Sequence, residues 1–225
     1  MLKEGLEQVR SRIENAAARA GRNAGEVTLL AVTKKFPPDV MIEAFELGLR
    51  EFGENYVQEF EEKHPALITL GGSTLECSAR FHLIGHLQSN KTKKAAELFQ
   101  VIQTVDSAKL VRRLAESGAQ MELMIEVKLS HEEAKYGAPP EAIPEIQEAC
   151  AAYSNLTLTG LMTMPPWTDD AEPSRPYFRR LRELAVKHGL SKLSMGMSHD
   201  LEVAIEEGAT CVRIGTALFG PRRKA

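Results

Sequence analysis

Cysteine is scarce in this chain: three residues, Cys77, Cys150 and Cys211, among 225. Their number is odd, and no CxxC or Cys/His ligand spacing links them. A disulfide scaffold and a structural zinc centre are therefore excluded as the source of the fold, and buried reduced thiols are expected. Long apolar runs are missing too. Nothing approaches the roughly 20 residues that span a bilayer. The opening Met1-Leu2-Lys3-Glu4-Gly5-Leu6 enters a charged amphipathic stretch and builds no signal-peptide core. Charge of neither sign prevails, with 28 Lys plus Arg against 31 Asp plus Glu and a net charge of −3. That near-balance removes the broad electrostatic case for a nucleic-acid partner. The expectation is a cytoplasmic protein with neither membrane nor nucleic acid as partner.

What the chain does have is an ordinary globular composition, 43% apolar and 26% charged, and a regular alternation of two periodicities. A helical stripe covers about residues 2–20, carried by Leu2, Leu6, Val9, Ile13 and Ala17. The apolar run Val27 to Thr33 predicts a buried strand, stopped at Pro37-Pro38, where a helix starts with Val40, Met41, Ala44 and Phe45 on its buried face. Further strands are predicted at 50–53, 81–84, 101–104, 123–127, 156–162, 193–195 and 211–214. Helices fall at about 55–63, 89–99, 107–117, 140–153, 173–188 and 200–207, and residues 65–79 read as a loop, most flexible at Gly71-Gly72-Ser73. Eight strands, each but the last followed by a helix, imply parallel pairing. With one extra helix in front, they fit a single α/β domain over residues 1–225, a closed (β/α)8 barrel of the TIM type. An open doubly wound sheet is the alternative, weakened by the missing G-x-G-x-x-G after the first strand.

In such a barrel the chemistry sits where strands end and the following loops begin. Lys34 ends the first strand behind five apolar residues, where partial desolvation makes a neutral amine accessible for a Schiff base. A snorkelling strand-end lysine is the plainer alternative, and Lys35 alternates to the other face. Arg213-Ile214-Gly215-Thr216 ends the last strand and suits an anion, by close backbone approach at Gly215 and the Thr216 hydroxyl. Ser198, at the start of the preceding helix, can add its own hydroxyl or simply cap that helix. Asn55 closes the second strand among polar groups, or caps the helix after it. His82 and His86 lie four apart without a carboxylate at ligand spacing, which argues against a metal site. No Ser/His/Asp or Cys/His nucleophile motif stands out. Strands one and eight adjoin in a closed barrel, so the amine and the anion loop face one ligand. A phosphorylated aldehyde satisfies both, and pyridoxal 5′-phosphate (PLP) is the common cofactor of that kind.

These residues sit in stretches that resemble the pyridoxal-phosphate homeostasis proteins, a group similar to the N-terminal barrel of alanine racemase. The stretches are Ala31-Val32-Thr33-Lys34, Phe52-Gly53-Glu54-Asn55-Tyr56-Val57-Gln58-Glu59, Phe81-His82-Leu83-Ile84-Gly85 with Leu87-Gln88-Ser89-Asn90-Lys91, Gly160-Leu161-Met162-Thr163-Met164, Ser194-Met195-Gly196-Met197-Ser198-His199-Asp200, and Val212-Arg213-Ile214-Gly215-Thr216-Ala217-Leu218-Phe219-Gly220. They occur in family order along essentially the whole chain. The resemblance implies that Lys34 is the Schiff-base lysine, that Arg213 faces the pyridine nitrogen, and that Ser198, Gly215 and Thr216 hold the phosphate. Asn55 and His82 are implied near the ring. One position departs: Lys128 stands where the family usually has Asn, while Lys135 and Gly137 keep the pattern.

The resemblance further implies a protein that holds PLP without dedicated catalysis, in intracellular vitamin B6 homeostasis, with PLP-dependent apo-enzymes as transient partners; the absence of a dimerising second domain leads to the expectation of a monomer. An arginine at the pyridine nitrogen weakens the ring as an electron sink. Racemases of this type also draw a tyrosine from an additional C-terminal β-domain, and only nine residues follow Thr216. An amino-acid racemase and an aldolase-like barrel enzyme using Lys34 are the alternatives.

Overall fold

The computed structural model describes residues 2–130 and 136–221, apart from the side chains of Ser73, Glu76 and Cys77. Lys135 and the last four residues, 222–225, lie outside the described residues. Helix α1 (Leu2–Arg19) leads into eight alternating units: β1 (Thr28–Val32), α2 (Pro38–Glu46), β2 (Glu51–Glu54), α3 (Val57–Ser78), β3 (Arg80–Leu83), α4 (Thr92–Leu98), β4 (Val101–Val105) and α5 (Ala108–Ala115). They continue as β5 (Met121–Glu126), α6 (Ile143–Ala151), β6 (Leu156–Met162), α7 (Arg175–Lys187), β7 (Lys192–Met197), α8 (Leu201–Glu206), β8 (Cys211–Ile214) and α9 (Thr216–Phe219). The strands form a closed parallel barrel in sequence order. Its seam pairs Thr28 with Cys211 and Ala31 with Ile214. The expected (β/α)8 architecture is therefore present, and the last strand also has its helix, the short α9.

Strand alternation sorts side chains into two shells. Ala31, Phe52, Phe81, Ile102, Leu123, Ile125, Leu193, Met195, Val212 and Ile214 belong to the large apolar cluster shared with the helices. The intervening positions point into the barrel, where only Leu30, Val32, Ile84 and Cys211 make a small apolar cluster of their own. The rest of that interior includes buried polar side chains, among them His82, Gln103, Ser194 and Arg213. Cys150 and Cys211 are buried free thiols. Burial pushes the Cys150 thiol up to about 11, so it stays protonated at neutral pH.

Helix α1 buries Leu2, Leu6, Val9, Ile13, Ala16 and Ala17 along one stripe. Its four large side chains are worth roughly 1.5–3 kcal/mol each. Arg12 clamps it to α8 through a two-pronged pair with Glu202, at 2.6 and 2.8 Å. Helix α3 corrects the reading of 65–79 as a loop. The segment is helical to Ser78, with non-helical backbone only at Gly72, φ +66°. Phe60, Leu67 and Leu75 are its fully buried anchors; Phe60 and Leu67, seven residues apart, share one face before the Gly72 break, and Leu75 anchors the turn beyond it. No helix among the described residues is long and apolar enough to cross a membrane.

Candidate functional site

The turn after β1 carries Lys34 and is fixed from below. Phe36 N–H donates to Thr33 O at 3.0 Å, and Lys35 takes a left-handed φ of +63°. A side chain in that region costs roughly 1–2 kcal/mol, so neighbours must hold the turn. Lys63, reaching over from α3, does so. Its Nζ donates to Thr33 O and Phe36 O, each at 3.2 Å, and to Glu54 Oε1 and Glu59 Oε1, each at 2.9 Å. Glu59 in turn accepts from the Lys35 N–H, and Thr33 Oγ1 donates to Glu54 at 2.8 Å. Burial raises the Glu54 pKa, against the lowering effect of Lys63.

Above this clamp lies a cavity of about 450 Å³, lined by Lys34, Asn55, Ser198, Arg213, Gly215 and Thr216 together with Val32, Ile84, Met164, Trp167, Met197, His199 and Ala217. Six of the seven site residues expected from the sequence thus share one hollow at the C-terminal mouth of the barrel. His82 is not among them. Ile84, two residues on, lines the cavity, so His82 sits about 6–7 Å deeper at the strand rise per residue. Ser198 does not cap α8. That helix begins after Asp200, and Ser198 Oγ accepts from the Ala217 N–H at 3.3 Å, which leaves its own O–H proton to donate. Asn55 does not cap α3 either. The helix begins after Tyr56, and Asn55 Oδ1 is buried without a hydrogen-bond partner among the described residues.

Arg213 is fully buried and meets no carboxylate as an ion pair among the described residues. Desolvation lowers its pKa, while more distant Asp200 and Glu126 act the other way. Its guanidinium donates to Ser194 O at 2.7 Å, Ser194 Oγ at 2.8 Å and Thr163 O at 2.9 Å. Ser194 donates to Gln103 Oε1 at 2.6 Å. Gln103 Nε2 lies 2.9 Å from His82 Nδ1, and His82 Nε2 meets Glu51 Oε2. Burial lowers the His82 pKa, so the neutral ring accepts at Nδ1 and donates from Nε2. Burial pushes Glu51 up, but the His82 hydrogen bond and the fields of His82 and Arg80 together bring the net shift downward. Every link therefore donates in one direction, from Arg213 at the mouth to Glu51 at the opposite end. Gln103 and Ser194 had no sequence signal beyond their place on strands.

Beside the first cavity is a second hollow of about 490 Å³ that shares Asn55, Ile84 and Met164 with it. Its own lining includes Gln88, Lys91, Glu126, and His86 stacked on Tyr136 at 3.8 Å. Trp167 and His199 pack at 4.1 Å on the rim of the first. A larger hollow of about 1020 Å³ beside α1 and α2 reaches neither Lys34 nor Arg213.

Residues 5–223 match the family profile of the alanine racemase N-terminal domain. The pyridoxal phosphate homeostasis protein of Pseudomonas aeruginosa is 44% identical over 225 residues, covering 97% of this chain and 95% of that protein. That of Aquifex aeolicus is 42% identical over 230 residues, with 98% of each chain covered. This chain belongs to the pyridoxal phosphate homeostasis protein family. A solved structure in the same group, PipY of Synechococcus elongatus with PLP bound, superimposes with a TM-score of 0.82 at 34% identity, over 98% of this chain and all of the other. Family membership accounts for the order of the motifs. The cavity accounts for why residues from β1, β2, β7 and β8 recur together: the barrel brings these four strand ends to one mouth.

Proposed function

We propose that this protein binds PLP in the cavity above Lys34 and holds it covalently through that lysine, as a cofactor reservoir without dedicated turnover. The observation that carries this reading is the meeting of Lys34, Arg213 and the Ser198–Gly215–Thr216 set around one hollow of about 450 Å³, within the usual range of about 300–1,000 Å³ for small-ligand sites. The fit is supported residue by residue. Lys34 supplies the amine for an aldehyde. Arg213 supplies a buried cation whose direct partners are neutral oxygens, suited to an electron-rich ring nitrogen. Ser198 offers its proton. Gly215 has an ordinary φ of −115°, and a Cβ there would meet nothing closer than Val32 at 3.6 Å. The protein's own packing thus tolerates a side chain at 215, and the glycine leaves that room to a phosphate.

When bound, PLP supplies an electrophilic aldehyde carbon and, in enzymes, an electron sink. Here the residues favour the first role. A guanidinium directed at the ring nitrogen disfavours protonating it, which withholds the sink. The relatives' own name, homeostasis protein, supports the same role. Apo-enzymes that take up PLP are the partners this role calls for, and a monomer suffices for it.

The test is the absorbance of purified protein incubated with PLP, before and after borohydride, beside Lys34→Ala. An imine band that borohydride bleaches, with PLP mass fixed on the Lys34 peptide and no band in Lys34→Ala, is expected. Equal loading of the variant overturns the reading.

A further inference from the structure

The hollow of about 1020 Å³ lies outside the barrel, between α1, α2 and α9. Helix α2 turns Met41, Ala44 and Phe45 inward, which leaves Asp39, Val40 and Glu43 together on its outer face. All three line the hollow. Helix α1 forms the opposite bank. It lies directly on α9 because Gly5 has no side chain: a Cβ there would come 2.9 Å from Ala217 O and 3.0 Å from Leu218 O. Between the banks the lining is apolar. Phe36 and Phe219 are half-buried, Pro37 and Pro221 exposed, and the two phenyl rings meet at 5.1 Å between centroids. Three carboxylates, those of Glu4, Asp39 and Glu43, stand against one cation, Lys35, in this lining. The Asp39 and Glu43 carboxylates have no hydrogen bond or ion pair among the described residues. Asp39 suits the start of its own helix, but Glu43, a turn further on, has no such role.

This volume lies at the upper limit of small-ligand sites, about 300–1,000 Å³. An apolar floor between polar banks is the shape in which a groove receives an amphipathic helix, through anchors at i, i+3 or i+4, and i+7. Charge then selects the occupant. An acidic rim repels nucleic-acid phosphates and anionic lipid, and attracts Lys and Arg. The geometry points to a docking groove for a segment of another protein, an amphipathic helix whose apolar residues rest on Phe36, Val40 and Phe219 and whose flanking Lys or Arg side chains face Asp39 and Glu43. Such an occupant touches the Lys34 site from behind. Phe36 lies two residues beyond Lys34, and Thr216 and Ala217 line both this groove and the cavity that contains that lysine. Docking therefore reaches the turn after β1 and helix α9 without entering the cavity.

The test is fluorescence anisotropy of three labelled peptides of about 14 residues, roughly four helical turns, titrated with the full chain. One places leucine and lysine on opposite helical faces, one leucine and glutamate, and one serine and lysine. The leucine–lysine peptide is expected to bind, and the other two about tenfold more weakly or worse, because docking needs both the apolar face and the positive flanks. Val40→Ser and Glu43→Lys, both on the outer face of α2, are each expected to weaken the leucine–lysine peptide by about fivefold or more. Glu14→Lys makes the same charge change on an exposed part of α1 that does not line the groove, and is expected to leave binding unchanged. Equal binding of the leucine–lysine and serine–lysine peptides overturns the inference, as does equal weakening by Glu14→Lys and Glu43→Lys, since either shows attraction by charge alone. Sedimentation of the protein by itself covers the other occupant: a dimer that Val40→Ser dissociates makes a second copy the occupant and overturns the inference as well. If Val40→Ser does not fold, Glu43→Lys, at an exposed position, decides. No readout involves PLP, so a failure of the proposed function leaves the result for the groove standing.

Discussion

The sharpest consequence of the buried Glu126 is a pH dependence of stability that belongs to this one side chain. Desolvation raises its pKa from 4.5 to about 7, with Arg213 lowering and Asp106 adding to it. The folded pKa lies above the unfolded one, so the folded protein binds the proton more tightly. Its contribution is complete below pH 4.5 and is lost as pH rises toward 7. Linkage places the loss at under about 1 kcal/mol at pH 5 and about 3 kcal/mol at pH 8, a fall of about 2–3 kcal/mol across that window. Glu126→Gln keeps the shape and removes the titration. In urea unfolding of PLP-free protein, the variant should gain about 2–3 kcal/mol on wild type between pH 5 and pH 8. At a slope of about 2–3 kcal/mol per M this is close to 1 M in midpoint. Other titrating groups, His82 and Glu51 included, are common to both proteins and cancel in the difference. If the gap between the two proteins changes by less than about 0.5 kcal/mol from pH 5 to pH 8, Glu126 is not a desolvated carboxyl.

Lys63→Met should strand the buried Glu54 without its cation and cost about 3–5 kcal/mol, a fall of roughly 10 °C in Tm for a chain of this size. A calorimetric loss under about 1 kcal/mol would remove Lys63 as the support of the Lys34 turn. His82→Leu should leave a Gln103 donor unpaired and cost about 1–3 kcal/mol in chemical unfolding. It should also let the Glu51 carboxyl titrate at higher pH, read from side-chain NMR, and an unmoved Glu51 would contradict the pairing. Gly85→Ala puts a Cβ 2.1 Å from Asn55 O, a backbone atom that cannot swing aside. A loss of about 2 kcal/mol or more is expected, together with weaker PLP uptake because Asn55 forms the wall of the cavity, and wild-type uptake and stability would contradict it.

The barrel was legible because its two periodicities alternate cleanly, and Lys34 and the 213–216 loop because strand ends are where such a fold exposes chemistry. Residues 65–79 misled because Gly71-Gly72 look like a breaker, whereas Leu67 and Leu75 bury enough surface to keep helix on both sides of a single turned residue. His82 shares a motif with cavity residues but lies one pleat pair below them, a depth that sequence order alone does not resolve. Glu126 obeys the same strand-end rule as Lys34 and passed unnoticed because its distinction is burial without a hydrogen-bond or ion-pair partner among the described residues, which only packing reveals. Gln103 and Ser194 are joined across 91 positions, beyond the reach of any local pattern. Lys128 is described and engaged in an interaction of its own, and nothing in the structure explains why it stands in place of the usual Asn.

The single donation sense of the Arg213–Ser194–Gln103–His82–Glu51 series has an evolutionary corollary. An amide or imidazole can be reversed only if its neighbours reverse as well, so no link can be exchanged alone for one of opposite polarity. Ancestry should then show these five positions drifting as a block, with intermediates poorly tolerated, while the outer apolar shell, whose members are interchangeable in size, diverges one residue at a time.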